Sequence, residues 1–171
     1  FSDIDEASAF ATLFSGSDPC YNGITGDNKY DFDNSKEVSI LYDPDYIGNY
    51  TKDHYSPRKF YSSTIGDELK IASNGKSDVF AIAPNVEAAI LSAGHAANAA
   101  FWMEDYNGKW ATTTFYKGVP WYVDKYNNSN ESVSARVNKM TWTPALPTNR
   151  YNAFPYVSNT TPFNTLTNNN L

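Results

Sequence analysis

The stretch SDVFAIAPNVEAAIL, Ser77 to Leu91, admits few arrangements. Ser77–Ala83 is a short apolar run that reads as a strand, apolar enough to be central in a sheet. Asn85 is a residue type that caps helix N-termini, and it opens a helical segment running through Leu91. A strand that runs directly into a helix is the repeating unit of an α/β fold. The arrangement puts Pro84–Glu87 at the carboxyl end of a strand, where such folds hold their ligands.

The flanking segments fit the same class. Ala7, Phe10, Ala11 and Phe14 fall at helical spacing, so Asp5–Ser15 is expected to be a helix with Gly16 as its stop. Ser17–Asn28 is rich in turn formers, Glu37–Tyr42 reads as a short strand and Asp43–Pro57 as a loop. Thr64–Asn74 is a second helix, with Thr64 and Asp67 spaced as a capping box and Asn74–Gly75 ending it. Asn107–Gly108 is the favoured dipeptide of a type I′ turn, so Phe101–Glu104 should pair with Trp110–Thr113 in a hairpin. A short helix begins at Pro120, another covers Ser132–Met140, and the chain from Pro144 onward is Pro- and Asn-rich and reads as irregular.

At 171 residues one domain is the default, with 41% hydrophobic residues to build its core. The net charge of −6 is unsuited to nucleic acid and to anionic membranes. The most charge-poor stretch, Ala88–Met103, is too short and polar to span a bilayer, so no membrane insertion is expected. Cys20 is the only cysteine, which excludes an internal disulfide and a cysteine metal cluster. The chain begins without methionine on a segment that is already amphipathic, and it reads as an internal piece of a longer protein.

Chemistry-bearing motifs are few. No P-loop and no G-x-S-x-G elbow is present. The histidines, His54 and His95, are too few for a self-contained zinc site. His95, inside the small-residue run SAGHAANAAFW, reads as a residue that satisfies core polar groups. The Asp/Tyr loop YDPDYIGNYTKDHY lacks EF-hand spacing. Trp102 and Trp110 are expected to pack across the hairpin rather than present a sugar platform. Sequons stand at Asn49, Asn127, Asn130 and Asn159.

The order of blocks carries further information. ATLFSG…NGITGDNKYD is followed by YSPRKFYSSTIGDELK, then AILSAGHAANAAFW, then GKWATTTFY. Together they resemble the alkaline phosphatase superfamily, in the branch of phosphate-irrepressible alkaline phosphatases and their phosphodiesterase and nucleotide pyrophosphatase relatives. The likeness is strongest from Ser56 to Asn127. It implies an α/β fold: a partial alkaline-phosphatase-like core with a β-hairpin insertion and an irregular C-terminal tail. Residues 1–171 would be a single domain or fragment, an internal segment of a larger alkaline-phosphatase-like domain. The resemblance also implies a periplasmic or secreted parent, a phosphate ester or other small molecule as ligand, and the remainder of the parent chain as partner. Zinc is expected in the full-length parent, with no metal site self-contained in this segment.

Active members of the family carry a threonine nucleophile, an asparagine and a Lys-x-Arg pair around the phosphate. The positions that correspond here hold Glu6, Asp27, and Asn85 with Glu87. Ser8 is the hydroxyl nearest to the nucleophile position. Glu6 and Ser8 are therefore the catalytic candidates, and Asp27, Asn85 and Glu87 the substrate-binding candidates. A phosphate dianion wants cations and N–H donors around it, so carboxylates at these positions point to an altered substrate or a pseudoenzyme. The other class open to the chain is a carbohydrate- or protein-binding module, which would present exposed coplanar aromatics.

Overall fold

A computed structural model of the chain describes residues 5–137 and 139. Helix α1 spans Glu6–Ser15, and a single-turn helix α2 spans Pro19–Asn22. An antiparallel pair follows, β1 (Asn28–Asp31) with β2 (Lys36–Ser39), in a register that sets Asn28 opposite Ser39. Strand β3 is Gly48–Asn49, helix α3 Ile65–Ala72, strand β4 Phe80–Ala83 and helix α4 Val86–Ala93. Strands β5 (Ala99–Glu104) and β6 (Lys109–Thr113) come next, then a 3-10 turn at Thr114–Tyr116. Helices α5 (Trp121–Asn127) and α6 (Val133–Val137) close the described chain. The irregular stretch expected from Pro144 onward lies outside the described residues, as does the far end of the helix expected over Ser132–Met140.

The main sheet is mixed, with strand order β3-β6-β5-β4. β4 runs parallel to β5, and β3 antiparallel to β6. Strand β4, joined to α4 by Pro84 and Asn85, is the strand–helix unit read from the sequence. Among the described residues it forms one edge of the sheet, with Phe80 54% and Ile82 67% exposed. Apolar composition says that a strand is meant to be covered, not on which side its cover lies.

Two compact units divide the described residues. The first, residues 5–103 and 110–119, holds α1–α4, most of the sheet and the main core. Ala7 and Ala11 of α1, with Ala89 and Ala93 of α4, are all fully buried in that core, and α1 packs on α4. Alanine side chains let the two helix backbones approach closely, so their N-termini come to lie together. Ile24, Leu41, Phe60, Ile90, Leu91 and Trp102 are among the other members of this core. Trp102 meets Tyr55 edge-on, with ring centroids 6.2 Å apart.

The second unit holds residues 104–109 with α5 and α6. Its loop 105–108 differs from the expected type I′ turn. Gly108 has φ +62°, but Asn107 is not in the left-handed region that a type I′ turn demands of both central residues. The Asn107 side chain instead accepts the Lys109 N–H (2.9 Å), and the Gly108 N–H closes on the Glu104 carbonyl (2.7 Å).

Gly94 ends α4 with φ 73° and ψ −153°, a conformation essentially reserved for glycine. A Cβ there would also run into the Thr64 and Asp67 side chains. At Gly75 φ is +76°, but a Cβ would meet nothing within 4 Å. Gly75→Ala should therefore cost about 1–2 kcal/mol, the left-handed penalty alone. Gly94→Ala should cost about 3 kcal/mol or more, because overpacking adds to backbone strain. Urea denaturation of the two variants checks the order; equal losses would mean that the space around Gly94 is not tight.

Candidate functional site

The N-termini of α1 and α4 form one polar patch. Helix starts leave backbone N–H groups without intrahelical acceptors and carry a partial positive charge. The N-cap of α1, Asp5, makes no side-chain cap bond. The cap comes from a distance: the Ala7 N–H donates to Asp27 Oδ1 at 2.7 Å. Asp27 is held by its own backbone, whose carbonyl accepts the Ile40 N–H (2.8 Å), and the buried Asn22 braces the preceding turn through Ser17 and Ile24. At α4, the Asn85 side-chain oxygen accepts the Ala88 N–H (3.3 Å), the cap read from the sequence. The same side chain donates its Nδ2–H to Glu6 Oε1 at 2.5 Å.

Glu87, in the first turn of α4, lies in the same patch. Burial raises its pKa, and the nearby charges of Asp27 and Glu6 add to the rise. Four of the five residues singled out by sequence thus come together: Glu6, Asp27, Asn85 and Glu87. Ser8 does not join them; its hydroxyl donates to the Asp5 carbonyl (3.0 Å) within its own helix. Among the described residues, no lysine or arginine pairs with any of the four. The patch is three carboxylates and an amide, and Asp27, Asn85 and Glu6 are already engaged with one another or with helix N–H groups.

A second polar cluster was missed at sequence level. Asp67 is buried and accepts from the Thr64 N–H (2.9 Å), the Thr64 hydroxyl (3.1 Å), the His95 N–H (2.9 Å) and the Ala96 N–H (2.7 Å). His95 Nδ1 adds a longer contact at 3.4 Å, and its Nε2 lies 3.1 Å from the Pro57 carbonyl. Both ring nitrogens face atoms that only accept, so the ring is best satisfied when protonated at both. Burial opposes ionisation of Asp67, but its bonds from His95, Thr64 and Ala96 outweigh it and hold the carboxyl far below the usual range. The hydrogen bond to Asp67 raises the His95 pKa against the opposing effect of burial. The capping-box spacing of Thr64 and Asp67 is visible in sequence, but nothing local links them to a histidine twenty-eight positions on.

His95 is therefore hydrogen-bonded at both ring nitrogens, but it is an exposed residue at the surface of the cluster and not the core residue expected; His54 places Nδ1 on the Tyr46 carbonyl (2.7 Å). Among the described residues, no group of three His, Cys, Asp or Glu side chains is arranged to hold a metal ion. Elsewhere, burial and the neighbouring Lys29 push the Lys59 ammonium down to about 8, while its Nζ donates to the Tyr42 carbonyl (2.8 Å). No described helix is long and apolar enough to cross a membrane.

No family model matches the chain. It is 36% identical over 145 residues to alkaline phosphatase PafA of Elizabethkingia meningoseptica, covering 82% of this chain and 26% of that protein. A protein of Myroides odoratus named calcium-transporting ATPase is 34% identical with the same coverage. Alkaline phosphatase PhoV of Synechococcus elongatus is 31% identical over 125 residues, or 71% of this chain and 23% of that one. The crystal structure of wild-type PafA is similar with a TM-score of 0.72 at 35% identity, across 86% of this chain and 29% of that one. The chain thus spans about a quarter of the length of the curated relatives it matches.

The Asp67–His95 cluster sets a pH window for stability. Asp67, with its lowered pKa, contributes above its unfolded value of about 3.9, and this is lost as pH falls through its folded pKa. His95, with its raised pKa, contributes fully below about 6.5, and this is lost as pH rises through its folded pKa. Urea unfolding followed from pH 5 to pH 9 should show stability declining on the alkaline side. His95→Gln, which keeps a donor but cannot ionise, should flatten that decline; a decline unchanged in the variant would assign it to another group.

Proposed function

The chain belongs to the alkaline phosphatase superfamily, and on that footing we propose that it comes from a member that does not hydrolyse phosphomonoesters, a pseudoenzyme at the family's phosphate position. The observation that carries this reading is the pair of contacts Ala7 N–H to Asp27 and Asn85 to Glu6. By the family resemblance, the threonine nucleophile would stand at Glu6, the phosphate-binding amide at Asp27, and the two cations at Asn85 and Glu87. Glu6 and Asp27 are carboxylates here, and no hydroxyl stands at the nucleophile position.

The physics is unfavourable to a phosphate dianion in three ways. The N–H at the start of α1 that would greet an anion already holds the Asp27 carboxylate. The Asn85 amide, which could donate to a phosphate oxygen, donates to Glu6. The carboxylates of Glu6 and Asp27 lie near enough to Glu87 to raise its pKa, and a phosphate dianion placed among the three would meet the same repulsion. Ser8 does not join the four patch residues, and its hydroxyl donates instead to the Asp5 carbonyl.

Zinc, expected in the parent by resemblance, does not fit the described residues. His95 has both ring nitrogens committed, and no three-ligand group is present among them. The same resemblance supports a periplasmic or secreted location. The binding-module reading is less favoured, since the exposed Trp121 and Tyr122 meet edge-on at 83° and offer a glycan no flat platform.

The test uses the full gene product. Calorimetric titration with inorganic phosphate and turnover of an aryl phosphate should both read near background. The four-site variant E6T/D27N/N85K/E87R restores the hydroxyl, the amide and the two cations. It should tighten phosphate binding by at least about tenfold, or ~1.4 kcal/mol. Turnover by the unaltered protein that Glu6→Ala abolishes would instead make Glu6 a carboxylate nucleophile and end the pseudoenzyme reading.

A further inference from the structure

Three asparagines are followed directly by glycine: Asn22, Asn74 and Asn107. Such pairs rearrange chemically without an enzyme, because glycine has no side chain to hinder attack of its backbone nitrogen on the preceding side-chain amide. The attacking nitrogen is restrained alike in all three. The Gly23 N–H donates to the Pro19 carbonyl (2.9 Å), the Gly75 N–H to the Lys70 carbonyl (2.8 Å) and the Gly108 N–H to the Glu104 carbonyl (2.7 Å). The amides under attack differ. Asn22 is fully buried; its Nδ2–H donates to the Ser17 carbonyl (2.8 Å) and its Oδ1 accepts the Ile24 N–H (2.8 Å). Asn107 Oδ1 accepts the Lys109 N–H (2.9 Å). Asn74 is exposed, and among the described residues its side chain has no hydrogen-bond partner. The room beside each glycine follows the same order. A Cβ at Gly23 would run into the Tyr61 ring at 2.6 Å, and one at Gly108 would press on Ser134 at 3.2 Å, whereas one at Gly75 would meet nothing within 4 Å. The bonds that hold Asn22 and Asn107 lie within this chain, so they stand whatever surrounds it.

We propose that Asn74 is a self-modification site, deamidating through a succinimide to aspartate and isoaspartate ahead of Asn22 and Asn107. The Gly75 nitrogen gives up its proton to solvent and bonds to Asn74 Cγ. The amide nitrogen takes a proton and leaves that carbon as ammonia. Water then opens the ring at one of its two carbonyls. Opening at Cγ gives aspartate, and opening at the main-chain carbonyl gives isoaspartate, with the chain now running through Cγ. One water is consumed and one ammonia released, and a side-chain amide becomes a carboxyl group. The position matters to the fold. Asn74 follows α3 with φ +53°, and its own N–H donates to the Ile71 carbonyl (3.0 Å). Ser73 Oγ pins the same turn, pairing with Ser77 Oγ (2.7 Å) and accepting the Ser77 N–H (3.0 Å). Isoaspartate puts one more carbon into the main chain inside this turn. Its carboxylate also stands at a helix C-terminus, where negative charge is unfavourable. Helix α3 carries Asp67, so the modification loosens the end of the element that holds the buried carboxylate.

The experiment uses the unaltered full gene product, so no variant has to fold. Samples are held at mildly alkaline pH, native and in urea, and then digested. Mass spectrometry follows the three Asn–Gly peptides, and enzymatic carboxyl methylation counts the isoaspartate. In the native protein Asn74 should convert at least about tenfold faster than Asn22 and Asn107, a barrier difference of about 1.4 kcal/mol. In urea the three should convert at similar rates, which assigns the native order to the fold. Native conversion of Asn22 or Asn107 as fast as that of Asn74 would overturn the proposal. So would an Asn74 that stays intact in the native protein while it converts in urea. Phosphate binding plays no part in the readout, so failure here and failure of the pseudoenzyme reading are distinguishable.

Discussion

The buried Asp67 carboxylate organises the first unit. It closes the capping box on α3, receives the two backbone N–H groups that follow Gly94 and takes the near edge of the His95 ring. Through His95 it also reaches the Pro57 carbonyl, and the imidazole stacks near Phe60 at 5.9 Å between centroids. A buried carboxylate is costly unless it is multiply bonded, and this one has four short donors besides the imidazole. The surroundings are built to allow this. Gly94 must lack a side chain for α3 and the end of α4 to meet at Asp67, and Tyr116, almost wholly buried, donates its hydroxyl to the Gly94 carbonyl at 2.7 Å. The small-residue run around His95 is thus a requirement of close approach, not a catalytic signature.

That clasp fixes the end of α4, and the alanine-faced contact of α4 with α1 fixes its beginning. Two helix N-termini side by side present two partial positive charges to one another. Their mutual repulsion is relieved by any negative group placed between them. In a phosphate-binding relative the ligand can supply that charge transiently. Here Asp27 and Glu6 supply it permanently, through bonds to Ala7 and Asn85. The acidic residues are consequently at home in the fold. A patch of this kind can be retained for helix capping alone, with no ligand at all.

Much of this was legible in the sequence for identifiable reasons. Helices α1, α3 and α4 carry their signals locally: apolar spacing, Thr64 with Asp67, Asn85 before Val86, and Gly16 after the last turn of α1. The grouping of Glu6, Asp27, Asn85 and Glu87 could be read from block order, though not from any of these residues alone. Other features had no local signal. The β1–β2 pair, NKYD with KEVS, is mostly polar and half exposed, so it has no clean alternation to read. Only its second strand was anticipated, and shifted toward the apolar Ile40–Leu41. The bond of Asp67 to His95 depends on tertiary approach, and Asn107 kept a negative φ because its side chain found the Lys109 N–H.

The edge position of β4 is the most instructive difference. VFAIA satisfies every local criterion for a doubly covered strand, and the described structure covers Ala81 while leaving Phe80 and Ile82 bare. The two statements agree if the composition was set by a neighbour on the open side. Exposed apolar residues scattered singly need no explanation, but two on one face of an unpaired parallel strand do. Helix α4 leaves the carboxyl end of that same strand, so Asn85 and Glu87 stand where any added neighbour would also end.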